Sequence, residues 1–68
     1  MSMDKLKETV YKMIEHHFAL LKALRSLEDM IAETKSKEEK IEAFRIYFKM
    51  SKTLKQSESD IERYLEIL

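Results

Sequence analysis

The stretch "AETKSKEEKIE", residues 32–42, decides how this chain folds. It separates two long segments of the same character and belongs to neither pattern. Before it, steps of four and three residues from Leu6 collect Leu6, Val10, Met13, His17, Leu20, Leu24, Leu27 and Ile31, of which only His17 is not apolar. After it, the same steps collect Ala43, Tyr47, Met50, Leu54, Ser57, Ile61, Tyr64 and Leu68, of which only Ser57 is neither apolar nor aromatic. An alternating 4-3 step is the seam of a helix packed at a shallow angle against another. Within the separating stretch, Ser36 followed by Glu39 matches a capping box. There Ser36 accepts from an early backbone N–H and the Glu39 carboxylate reaches back.

A turn near Thr34–Lys37 makes the two seams antiparallel. The expected fold is therefore all-α, an antiparallel helical hairpin forming a single domain over residues 1–68. Helix 1 covers about 4–33, the turn about 34–37 and helix 2 about 38–68. If Ile31 pairs with Ala43 beside the turn, paired numbers sum to 74, and Leu6 meets Leu68 at the far end. In that register His17 falls opposite Ser57, so the two polar interruptions meet in one layer. Such a layer resists sliding, because a shifted register would strand each polar group against hydrocarbon. One feature opposes a continuous second helix. "KQSESD", residues 55–60, has no apolar residue, and Ser59 with Glu62 forms another capping-box pattern, so a break near 56–59 is an alternative.

The composition agrees with long helices. Charged residues make up 38% and hydrophobic residues 44%, with no glycine, proline or cysteine among the 68. Disulfides and cysteine-based zinc sites are excluded, and a chain this short needs partners or very regular packing. The formal net charge is zero, which argues against a whole-molecule field for nucleic acid or anionic lipid. No apolar run suits a membrane span and no targeting signal is visible, so a cytoplasmic protein without a membrane partner is expected.

The apolar content exceeds what one seam per helix requires. Tyr11, Ile14, Phe18 and Leu21 in helix 1, with Ile41, Phe44, Ile46, Phe48, Leu65 and Ile67 in helix 2, lie outside the seam. Ile14 and Leu21 flank it on one side, as do Phe44 and Leu65. A stripe this wide expects a second neighbour. The simplest is another copy, giving a four-helix bundle by dimerisation; a different helical protein is the other source. The expected interface residues are Ile14, Phe18, Leu21, Phe44, Phe48 and Leu65.

Catalytic and metal readings find little to stand on. The histidines His16 and His17 are adjacent, so they point about 100° apart on a helix and share an ion poorly. Neither has a ligand-type residue three or four positions away, and no Glu-x-x-His occurs. Phosphate loops and glycine-flanked nucleophiles both need glycine. No cofactor, metal, small-molecule substrate or enzymatic activity is expected. Charge is uneven, however: residues 35–55 carry seven Lys/Arg against three Glu, and residues 56–68 carry one Arg against four acids. Arg45, Lys49, Lys52 and Lys55, with Phe48 beside them, form a basic stripe on helix 2 that suits nucleic-acid phosphates. Its plainer reading is a solvated face laced by pairs such as Glu42 with Arg45.

The function expected first is that of a non-catalytic interaction protein, an adaptor or small chaperone-like subunit. A small nucleic-acid-binding regulator is the alternative. In architecture alone the hairpin resembles small helical proteins that regulate plasmid copy number through RNA, or that serve as type III secretion co-chaperones.

Overall fold

A computed structural model describes residues 2–68. It contains two helices, α1 (Met3–Glu33) and α2 (Lys37–Ile67), each of 31 residues. At about 1.5 Å per residue each helix runs roughly 46 Å. The hairpin measures 52 × 15 × 13 Å, a single layer of two helices. Each helix starts one residue before the sequence pattern suggests, and α2 stops one residue before Leu68.

The helix starts are capped as their sequences require. Ser2 accepts from the Lys5 N–H at 3.3 Å, and Ser36 accepts from the Glu39 N–H at the same distance. Acidic side chains fill both first turns, Asp4 in α1 and Glu38 and Glu39 in α2, where they face the positive end of the helix dipole. Only half of the expected capping box forms. Instead of returning to Ser36, the Glu39 carboxylate accepts from the Thr34 hydroxyl at 2.8 Å. That bond ties the end of α1 to the start of α2.

The turn needs no glycine because it never enters the left-handed region. Thr34 closes α1 in an extended conformation (φ −71°, ψ 141°), with its N–H donating to the Met30 carbonyl. Ser36 is also extended (φ −81°, ψ 128°), and no described residue has positive φ. The usual left-handed C-cap is absent, and with it the need for a residue lacking Cβ.

The expected alternative of a break near residues 56–59 is overturned, since α2 runs unbroken through them. Side chains stitch the polar stretch lengthwise. Gln56 donates to the Asp60 carboxylate at 3.0 Å and Arg63 to the same oxygen at 2.8 Å, one turn apart on the helix surface. Ser59 therefore lies inside the helix and caps nothing.

The seams form the core, but a thin one. Val10, Leu24 and Ala43 are buried, and the remaining seam residues from Leu6 to Ile61 are half-buried. The last layers open out. Tyr64 is 37% and Leu68 44% exposed, so the expected closure of Leu6 on Leu68 does not complete a buried layer. Two helices alone shield only the line along which they touch.

Candidate functional site

Two flanks border the seam of an antiparallel helix pair, and the residues on them follow from the register. Positions just after Met13, Leu20, Ala43 and Tyr64 lie on one side: Ile14, Leu21, Phe44 and Leu65. Phe18 and Phe48 lie one helical turn from these and widen the same flank. Positions just before Val10, His17, Leu54 and Ile61 lie on the other side: Thr9, His16, Thr53 and Asp60.

The first flank is aromatic and uncovered. Phe18 is 61% exposed, Phe48 58%, Leu65 50% and Phe44 47%, whereas Ile14 and Leu21 are half-buried at its inner edge. On α2 the rings support one another. Phe44 and Phe48, one turn apart, meet edge to face at 5.2 Å, and Phe44 stacks on Tyr47 at 5.6 Å with 27° between planes. Tyr47 in turn donates its hydroxyl to the Glu28 carboxylate of α1 at 3.1 Å. This bond holds the phenol above the usual tyrosine pKa, first by hydrogen bonding to Glu28 and then through the charge of Glu28. The aromatic cluster of α2 is thereby braced against α1. On α1, Phe18 meets the His17 ring edge to face at 6.0 Å.

The clusters are staggered along the hairpin. In a register summing to 74, Phe44 and Phe48 stand level with Met30 and Ser26, while Phe18 stands level with Gln56. The phenylalanine rings thus cross the flank diagonally, from the middle of α1 to the turn-proximal part of α2, while Leu65 stands apart from them, level with Thr9 near the free ends.

The second flank carries an open groove of about 570 Å³, floored by Met13, Leu20 and Ser57 and walled by residues including Lys12, His16, Gln56 and Asp60. Its width comes from short side chains, Thr9, Thr53 and Ser57, where longer ones would bridge the helices. The sequence pattern gave no hint of it, because a groove is made by what small residues leave unfilled. Asp60 is already engaged by Gln56 and Arg63. No group of three or more metal-type ligands assembles among the described residues.

The two histidines part as their positions dictate. His16 is exposed on the groove rim. His17 is in the seam, and its Nδ1 shares a hydrogen bond with the Ser57 hydroxyl at 3.2 Å. The pair is half-buried rather than fully buried, so the polar layer is reachable by water from the groove.

Arg45, Lys49, Lys52 and Lys55 are all exposed along α2. Arg45 is drawn to Glu42 at 3.7 Å, a weak pair with both side chains largely in solvent. The other three have no ion-pair partner among the described residues. Among the described residues no helix is long and apolar enough to cross a membrane. No family model, curated protein or solved structure matches this chain.

Proposed function

We propose that this chain is a non-catalytic interaction protein whose aromatic flank seats helices of another polypeptide in a shared bundle. One observation carries the reading: four large apolar side chains, Phe18, Phe44, Phe48 and Leu65, stand about half exposed on one side of a single-layer hairpin. Covering the exposed half of each is worth roughly 1 kcal/mol, half the full burial value for such side chains. Large apolar side chains left uncovered on one flank mark interaction sites in folded proteins. The braced Phe44–Phe48–Tyr47 cluster also loses little side-chain freedom on docking, which favours binding.

The test is Phe18→Glu and Phe44→Glu, made separately. Each should abolish association, measured by sedimentation, while far-UV circular dichroism keeps most of its helical signal. Association that survives both places the interface elsewhere.

A second reading rests on the exposed Lys49, Lys52 and Lys55, which have no carboxylate partner among the described residues and follow Phe48 along α2. It makes the chain a small nucleic-acid-binding regulator. Binding of RNA or duplex DNA should then weaken steeply with salt and with Lys→Glu changes at these positions. No retardation of either polymer at low salt removes this reading.

A further inference from the structure

We infer that the occupant of the aromatic flank is a second copy of this chain, docked antiparallel so that the two turns lie at opposite ends of a four-helix bundle. The inference rests on the reading of that flank as an interface, and two further observations select the occupant.

The first is area. The hairpin exposes 5758 Å². A compact monomer of its 8.2 kDa mass exposes about 4,500 Å². The surplus, about 1,200 Å², exceeds the roughly 800 Å² that each partner of a standard interface buries. The surplus is spread over the whole elongated molecule, and the uncovered aromatic flank is the apolar part of it. A matching hairpin brings two helices along the same 52 Å extent and covers the whole flank.

The second is charge. Halve the hairpin across its long axis at the level of Phe18 and Gln56. The half containing the turn, residues 19–55, holds nine Lys/Arg and six Asp/Glu, a net +3. The half containing the two chain ends holds four Lys/Arg and seven Asp/Glu, a net −3. The chain is neutral overall yet polar end to end. Two copies with turns at the same end set +3 against +3 and −3 against −3. Two copies with turns at opposite ends set each half against its complement. Fields of this kind choose orientation more than they add affinity.

The experiment uses the full chain, which has no native cysteine. Lys35→Cys places one spin label on the exposed turn. Sedimentation equilibrium from low micromolar to about 1 mM gives the mass, and electron–electron resonance gives the label separation. The expected result is a dimer with labels about 35–50 Å apart, given the 1.5 Å rise per residue. Its dissociation constant should rise severalfold between 50 and 500 mM NaCl as the complementary halves are screened. A dimer with labels within about 20 Å, its turns side by side, overturns the antiparallel arrangement and leaves the flank as an interface. A monomer at every concentration, helical by circular dichroism, overturns the second copy as occupant without touching the flank reading. A dimer that persists in both Phe18→Glu and Phe44→Glu overturns the inference and the flank reading together.

Discussion

The His17–Ser57 layer contributes stability through a single hydrogen bond between the two helices. Both residues are half-buried and Ser57 lines the groove, so water reaches the layer when either partner is removed. Ser57→Ala should therefore cost the net value of one hydrogen bond, about 1 kcal/mol, and not the larger penalty of a dry unpaired group. His17→Leu loses the same bond but gains apolar contact. At a half-buried seam position that gain is also about 1 kcal/mol, half the value for a fully buried leucine. The single change should then be nearly neutral. With leucine at position 17, the Ser57 hydroxyl has no partner to lose, and adding Ser57→Ala should cost almost nothing. The double-mutant cycle should thus return a coupling of about 1 kcal/mol. The assay is urea unfolding followed at 222 nm, with protein concentration fixed because association shifts apparent stability. In thermal melts the Ser57→Ala loss corresponds to roughly 4–8 °C for a domain of this size. Single changes that add to within 0.3–0.5 kcal/mol, about the scatter seen for independent sites, would refute the coupling and with it the register mark.

Three further outcomes follow from the geometry. Asp60→Pro separates a continuous α2 from a broken one: inside the helix proline costs about 3 kcal/mol or more, whereas at the first position of a new helix it is tolerated, so a midpoint unchanged by the substitution would contradict the unbroken helix. Leu24→Ala, at the best-buried leucine, should cost about 2–5 kcal/mol and leave a chain this small largely unfolded at 37 °C; a native-like melt would mean the seam contributes little. The Tyr47 phenol is held above its usual pKa by Glu28, so the stabilisation it represents is fully present below about pH 10 and is lost as pH rises through the folded-state value. Phenolate absorbance near 295 nm should show one tyrosine titrating earlier in Glu28→Gln, and an unchanged curve would mean the bond does not persist in solution.

How much of this was legible in the sequence differs from feature to feature. The hairpin was, because a 4-3 apolar step repeats on both sides of "AETKSKEEKIE" and a turn in that stretch lets the two seams bury each other. The His17–Ser57 contact was, since antiparallel seams of equal length place each polar exception in one layer. The unbroken course of α2 was harder to read. "KQSESD" looks like a break when judged by its apolar content, yet its side chains pair along the helix through Asp60. The Thr34–Glu39 bond and the groove were not legible at all. One depends on which of two nearby donors, the Ser36 N–H or the Thr34 hydroxyl, the Glu39 carboxylate accepts from, and the other on the summed shortness of side chains from two helices. The aromatic flank was visible as surplus apolar residues, but the bracing of Tyr47 by Glu28 depends on the helices' relative rotation.

The turn has one more consequence. Its residues sit in conformations open to any amino acid, and the closing bond is made by side chains rather than by a special backbone shape. The link then acts chiefly as a tether, raising the effective concentration of one helix near the other. Separate peptides spanning residues 1–34 and 36–68 carry all the packing surfaces of the hairpin, and at sufficient concentration they should reassemble into it. The protein is, in that sense, two complementary helices that happen to be joined.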